Sequence, residues 1–433
     1  MIKKLFPLIA AALLLAACHK DEPSNGNDKP LPNPYEITGA KATLDPSTTF
    51  QTWEGFGAMN LGGNWGDAID WSDSETDTFT ESLGLNIMRI RIPYDENDWS
   101  KLVNGCRYAY QNHGTLILAS PWTMPVTMKT PEQAEALKDG KTSSLRPDKY
   151  GDYAAYLQRF VDYMSSAGAP LYAISVQNEP DWHASYEGCM WTAQQHLDFV
   201  KNYGQSITGT LLMTGESMGS DHSFYTPVLN DDAACANIDI VGGHLYGTTP
   251  QPFPLAEQKG KSLWMTEHLL NDSFAKGTSV WLETMDMAKE IAGCLNSGWN
   301  AYIWWYGIRY YSLLGDGDAG TTRGAILPRG RAFAQFSRYI RPGDRRIAIS
   351  TEGAETLSAT AFKGENGRIT IVIVNPGQEI YKDFTIETGG TFSKISGSYT
   401  DPNLPAELKF TSSDGKIILN LNSASVTTIV ANP

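Results

Sequence analysis

The sequence predicts an α/β chain: a parallel (β/α)8 TIM barrel with an antiparallel β-sandwich side domain built from both chain ends. Three observations carry this. Eight apolar or β-branched runs recur along the middle of the chain, each closing in polar or Gly-containing residues. Helical patterns lie between them, and near-continuous apolar strands alternating with helices argue for a parallel sheet covered on its outer face. Past residue 340 the pattern changes to short β-rich runs broken by Gly, Pro, Asn and Asp.

The elements follow in order. Residues 1–17 join Lys3 and Lys4 to an apolar stretch too short to span a bilayer comfortably, which reads as an export signal. Its ending, LLAAC, resembles a bacterial lipobox, in which cleavage leaves Cys18 as the acylated first residue. Residues 18–35 are polar and Pro-rich with no apolar period, a flexible tether. The KDE close behind Cys18 resembles sorting signals that carry lipoproteins to the outer face of Gram-negative cells. The expectation is an exported protein, lipid-anchored at the outer membrane and cell surface, that meets the membrane only through its anchor. Residues 36–51 are expected to add strands to the side domain.

The barrel is placed at 52–340, near the roughly 250 residues such barrels occupy. Its strand candidates are WEGFGAMN, LNIMRIRIP, GTLILASPW, LYAISVQNEP, TLLMTGES, IDIVGGHLYG, KSLWMTEH and NAYIWWYG. Between the third and fourth, Tyr153, Tyr156, Leu157, Phe160 and Met164 recur at helical spacing, and SVWLETMDMAKEIAGCLNSG is a helix ending at a Gly. The sandwich is placed at 341–433.

Composition removes several classes of function. A chain of 433 residues exceeds the single-core limit of roughly 250–300 residues, as a large and a small domain would. With 34 Lys and Arg against 48 Asp and Glu, a formal charge of −14, it lacks the basic footprint a phosphate backbone demands, so no nucleic-acid partner is expected. Cys106, Cys189, Cys235 and Cys294 form no CxxC arrangement, so metal binding has no sequence support, and no cofactor is expected. Export permits disulfides with three possible pairings, and buried free thiols fit equally. A monomer is expected.

In a parallel barrel, functional groups sit at the C-terminal ends of strands. Glu179 closes the fourth candidate and Glu267 the seventh, three steps around the rim. Retaining glycoside hydrolysis needs two such carboxyls about 5–5.5 Å apart, one to protonate the leaving oxygen and one to attack the anomeric carbon. Alone, Glu179 before Pro180 reads equally as a strand-ending turn. Glu216, closing the fifth candidate, is a rival carboxylate. Asp181 and Trp182 have no evident role.

SVQNEPD and WMTEH resemble the clan of retaining glycosidases with the acid/base after an Asn on strand four. With WEGFGAMN, RIRIPYD, ASPWTMP, GGHLYG, NAYIWWY and GRAFAQFSRYIRPG, the chain is similar from about residue 45 onward to glycoside hydrolase family 30, in its bacterial xylanase branch. The resemblance implies Glu179 as acid/base, Glu267 as nucleophile and a side sandwich fused to the barrel.

Position and chemistry then suggest substrate contacts. Asn178 is placed to donate to the sugar hydroxyl beside the reacting carbon. Arg91, preferred over the deeper Arg89, is expected to hold Glu267 ionised. Trp53, Trp122, Tyr246 and Trp305 offer aromatic faces, and His244 borders the nucleophile with Tyr246. The branch cuts xylan at places set by a glucuronic acid side group, bound beyond strand eight. Arg309 is the candidate there, with Tyr310, Tyr311 and Ser312 adjacent. This chain departs from the branch's usual run: Gly307 is inserted, Tyr310 replaces a second arginine, and an insert brings Arg323. Ser273 and Lys276 lie between strands seven and eight.

The leading expectation is a surface-anchored endo-β-1,4-xylanase directed at glucuronoxylan. Its rivals are a same-fold glycosidase (a β-1,6-glucanase, glucosylceramidase or xylobiohydrolase) and a catalytically silent glycan-binding lipoprotein.

Overall fold

The structure is a computed structural model that describes residues 34–61, 70–130, 144–184, 186–270, 280–403 and 406–433. The export signal, Cys18, most of the expected tether, Ser273 and Lys276 lie outside the described residues.

Two strands, β1 (Tyr35–Thr38) and β2 (Lys41–Thr52), precede the barrel. The eight candidates then appear in order as β3 (Gly55–Asn60), β4 (Ile87–Ile92), β5 (Leu116–Pro121), β6 (Ala173–Ser175), β7 (Leu211–Met213), β8 (Ile240–His244), β9 (Ser262–Glu267) and β10 (Ala301–Trp304). Each pairs in parallel with the next, and β10 closes on β3.

Alternation along the strands sorts the core into layers. Ile87, Leu118, Ala173, Met213, Ile240, Trp264, Ala301 and Ile303 plug the barrel interior. Residues one step out of phase, such as Met88, Ile90, Ile92 and Met265, face the helices instead. The expected helix forms over Tyr150–Ser166 and buries Tyr153, Tyr156, Leu157, Phe160 and Met164. The other spans Val280–Asn296, and the chain leaves it through Gly298 at φ 87°, a left-handed conformation that glycine adopts at little cost.

The remaining strands are β11 (Arg345–Glu352), β12 (Ser358–Lys363), β13 (Ile369–Asn375), β14 (Glu379–Glu387), β15 (Lys394–Thr400), β16 (Ala406–Glu407), β17 (Phe410–Ser413), β18 (Lys416–Leu421) and β19 (Ser425–Asn432). With β1 and β2 they make one eleven-stranded sheet, so both chain ends do build the side domain. Pairing is mostly antiparallel, but β1 and β2 each run parallel to β14. Tyr35, expected in the tether, already pairs with Glu379 in β1 and donates its hydroxyl to that carboxylate at 2.8 Å.

The all-apolar β13 shows why sheet and barrel adhere. Its Ile369, Ile371 and Ile373 enter the sheet's own core, while Val372 and Val374 join the barrel's outer core. Trp281 Nε1 also donates to the Ala424 carbonyl at 2.8 Å. The four described cysteines are buried free thiols. Among the described residues, no helix is long and apolar enough to cross a membrane.

Candidate active site

Above the apolar plug the barrel interior turns polar. One step up β4 from Ile87 stands Arg89, fully buried; Ser120 follows Leu118 on β5, and His244 ends β8. Glu267 requires an irregularity to join them. With Trp264 facing inward, strict alternation would turn Glu267 outward. The β8–β9 register shifts, however, from Gly243↔Met265 to His244↔Glu267, so Thr266 is an extra residue and the Glu267 side chain comes back inside.

Glu179 arrives by a different device. Its φ is 44°, a sparsely populated conformation for a residue with a side chain. The backbone is held on both sides: Asn178 N–H donates to Pro121 O at 2.8 Å and Glu179 N–H to Glu216 O at 2.9 Å. The residue is thus a strand-ending turn, and the turn aims its carboxyl into the mouth.

One carboxyl oxygen of Glu179, one of Glu267 and a ring nitrogen of His244 lie within 4.8 Å of one another. The two carboxyls have unlike partners. Glu267 Oε2 accepts from Arg89 Nη1 at 2.6 Å and Oε1 from the Tyr246 hydroxyl at 2.9 Å. Glu179 Oε2 accepts from the Tyr186 hydroxyl at 2.7 Å, and Oε1 lies 3.2 Å from His244 Nδ1. Burial raises the Glu267 carboxyl, and the neighbouring Glu179 charge adds to this against the pull of His244 and Arg89. Arg89 thus sets a cation directly on Glu267, while Glu179 has the Tyr186 hydroxyl and the His244 ring as partners. Arg89 Nη2 also donates to Asn178 Oδ1 at 2.6 Å. A guanidinium only donates, so the amide oxygen must face it, which turns the Asn178 amino group away from Arg89 as a donor.

Several expectations change here. Arg91 does not hold Glu267; Arg89 does, and Arg91 Nη1 binds Glu187 at 2.9 and 3.2 Å. Both arginines share one strand face, but the deeper one is level with Glu267, whereas the rim arginine meets the long loop after β6. Trp53 is no platform. It precedes β3, at the opposite end of the barrel from the mouth, fully buried with ring centroids 4.5 Å from Phe56 and 6.3 Å from Phe362 of the side sheet.

Trp122, Trp305 and Tyr246 do gather at the mouth. Trp122 is packed, 2% exposed, with Arg89 Cζ 4.9 Å from its ring centroid and Trp305 5.9 Å away. Trp305 is half-buried and stacks near Tyr306 at 4.2 Å. Past β10, Arg309 Cζ lies 5.0 Å over the Tyr306 ring, and Tyr311 meets Tyr310 edge to face at 4.8 Å. Ser312 is structural: its buried hydroxyl donates to the Tyr306 carbonyl and accepts from Trp304 Nε1 at 3.1 Å. Arg323 pairs with Glu75 at 2.8 Å, pinning its insert to the helix Asp73–Asp77.

Sequence reasoning missed Tyr186, 40% exposed in the loop after β6, because nothing local to a loop tyrosine marks it as a carboxyl donor. Asp181 now has a role: it accepts from Ser217 Oγ at 2.6 Å and Met218 N–H at 2.9 Å, tying the loop after β6 to the one after β7. Trp182 is 43% exposed, and nothing in the structure explains it. Among the described residues, two groups bring three metal-ligand types of atom together: Asp77, Glu81 and His113, and in the mouth Glu179, His244 and Glu267. In the mouth the carboxylates are already served by Arg89, Tyr186 and Tyr246.

A barrel mouth holding two carboxyls this close, one on a guanidinium and one beside a phenol hydroxyl and an imidazole, has the equipment of a glycoside hydrolase. The model of the glycosyl hydrolase family 30 TIM-barrel domain matches residues 96–303, and that of the family 30 beta sandwich domain matches 343–429. The chain is 34% identical over 411 residues to glucuronoxylanase XynC of Bacillus subtilis, covering 93% of this chain and 94% of that protein. A family 30 subfamily 8 xylanase of Clostridium acetobutylicum superposes with a TM-score of 0.81 at 33% identity, covering 91% of this chain and 100% of the other. A family 30 endoxylanase of Clostridium papyrosolvens gives 0.78 at 31%, with the same coverage. The chain belongs to glycosyl hydrolase family 30 and is a glycoside hydrolase.

Proposed function

We propose that the protein is a retaining endo-β-1,4-xylanase that cleaves glucuronoxylan through a covalent glycosyl-enzyme intermediate. The observation that carries the retaining mechanism is the carboxyl approach within 4.8 Å, which suits direct attack by Glu267 and leaves no room for the water that inverting sites hold between carboxyls about 6.5–9.5 Å apart. Glu179 is the acid/base. The xylan backbone follows from the relatives, one named a glucuronoxylanase and two solved as xylanases. Recognition of the uronate is assigned to Arg309, a cation beside Tyr306, Tyr310 and Tyr311 on a chain of charge −14.

Glucuronoxylan, arabinoxylan and unsubstituted xylo-oligosaccharides, each sized after digestion, test this reading. Products from glucuronoxylan should each carry one uronate at a fixed place. Arg309→Ala should lower kcat/KM on glucuronoxylan about tenfold to a hundredfold, the worth of one or two charged hydrogen bonds, and blur that spacing. Release of short products from one end of undecorated chains would overturn the endo-acting, uronate-directed assignment.

We also propose that Cys18 carries a lipid anchor and that the enzyme works at the outer membrane, on the strength of the LLAAC ending and the polar stretch behind it. Cells fed a labelled fatty acid should yield labelled protein in the outer-membrane fraction, and Cys18→Ala should remove the label. Equal labelling of both would refute the anchor.

A further inference from the structure

Glu216 is a buried carboxylate to which the two-glutamate chemistry gives no task. It is fully buried, 3.0 Å from Arg89 Nη2 and 3.6 Å from His244 Nε2. Gly242 makes its space: a Cβ there would stand 3.1 Å from Glu216 Cγ and 2.5 Å from Met213 Sδ. A charge buried so deeply costs several kcal/mol unless it is paired, and a glutamine would fill the same volume without that cost.

We propose that Glu216 is a positioning residue that acts through His244, keeping its imidazole doubly protonated so that Nδ1–H donates to Glu179 and the mouth stays neutral in both halves of the reaction. The inference rests on the glycosidase reading above. Its geometric basis is that both ring nitrogens face carboxyl oxygens: Nδ1 faces Glu179 at 3.2 Å, while Nε2 faces Glu216 at 3.6 Å and Glu267 at 3.9 Å. A neutral imidazole would set a lone pair against one of them. The other groups against the ring or its partners are Tyr246, 6.1 Å from it edge on, Tyr186, whose hydroxyl donates to Glu179 at 2.7 Å, and Arg89, which bridges Glu216 and Glu267. Burial alone would push the imidazole down, but the Glu267 charge, the contact with Glu179 at 3.2 Å and the Glu216 carboxylate at 3.6 Å hold it up at about 9. Glu216 itself, despite burial, is held down at about 2 by Arg89 and His244.

Charge then balances at each stage. Before reaction the cations Arg89 and His244 offset the anions Glu216 and Glu267, with Glu179 protonated. In the first half a Glu267 oxygen bonds to the anomeric carbon, the glycosidic C–O bond breaks, and the Glu179 proton goes to the leaving oxygen. Glu267 is now a neutral ester and Glu179 the anion, so the sum is unchanged. In the second half water attacks the anomeric carbon, the ester C–O bond breaks, and the water proton returns to Glu179. Without the Glu216 charge, either His244 loses its proton or an excess cation holds Glu179 ionised when it must be an acid.

Side-chain NMR of histidine-labelled full-length protein, with His244 assigned by its loss in His244→Asn, tests this without substrate. The wild-type ring should be doubly protonated at pH 7 and titrate near 9; a neutral ring at pH 7 overturns the proposal, whatever any variant does. Glu216→Gln should give a neutral ring at pH 7, lower kcat on xylan about tenfold to a hundredfold with KM little changed, and move the alkaline limb of kcat down by about one pH unit. Glu216→Asp, which keeps the charge, should restore the charged ring and part of kcat. A folded Glu216→Gln protein whose His244 still titrates as in wild type would overturn the proposal. A ring that obeys Glu216 in a chain inert toward every xylan would instead sink the substrate reading and leave the charge assignment standing.

Discussion

Glu267→Ala is expected to lower kcat by about 10⁴-fold or more on every substrate, while Glu179→Ala loses comparably on xylan but far less on aryl xylosides with good leaving groups. The difference follows from the bonds each residue makes. In the proposed mechanism the nucleophile is needed whatever departs, because no other group would form the intermediate. The acid is needed only when the departing oxygen must be protonated, and a phenolate of low pKa leaves without that help. Azide sharpens the contrast. In Glu179→Ala it should intercept the glycosyl-enzyme and give a β-glycosyl azide; in Glu267→Ala it should occupy the vacated side of the sugar and give the α anomer. Equal loss for both variants on xylan and aryl xyloside, with no azide product from either, would contradict the assigned roles.

Arg89 substitutions should produce the second-largest effect, in stability as well as rate. One guanidinium serves Glu267, Asn178 and Glu216 at 2.6, 2.6 and 3.0 Å, with Nε 3.3 Å from Ser120 Oγ and Trp122 over its face. Arg89→Leu leaves two carboxylates buried without their cation, and breaking a buried pair in this way costs about 3–5 kcal/mol. Arg89→Lys keeps the charge but cannot reach three acceptors at once, so it should fold while kcat falls about 10²–10³-fold. The acid side of the stability curve should respond as well. Glu216 is held below its ordinary value, so it contributes stability that is present above the usual glutamate range and lost as pH falls through about 2. In Arg89→Lys that loss should begin at higher pH. Thermal melts between pH 2 and 7, beside kcat and KM, check both. A variant as active and as acid-stable as wild type would show that Arg89 is an incidental neighbour.

The legible parts of the site were those tied to strand ends. Glu179 and Glu267 closed two of eight recurring apolar runs, and barrel topology alone brings such ends to one face. The ranking of Arg91 over Arg89 failed because depth along a strand is invisible without the partner's register, and the extra Thr266 in β9 lowers the level at which Glu267 enters. Trp53 failed for the converse reason, since it lies before its strand and not after it. Tyr186 and Glu187 come from a loop whose path no periodicity describes, yet they meet Glu179 and Arg91 directly.

Strand and helix periodicity, a basis in side-chain alternation along the backbone, was enough to determine the barrel, the side sheet from both chain ends and the two carboxylates at the rim. Tertiary structure alone decided which cation belongs to which carboxylate, the inward turn of Glu267 and the pairing of Glu216 with Arg89 and His244. These depend on contacts between residues far apart in the chain, at distances of a few ångströms where electrostatic energy changes steeply. Spacing along one strand carries no record of that.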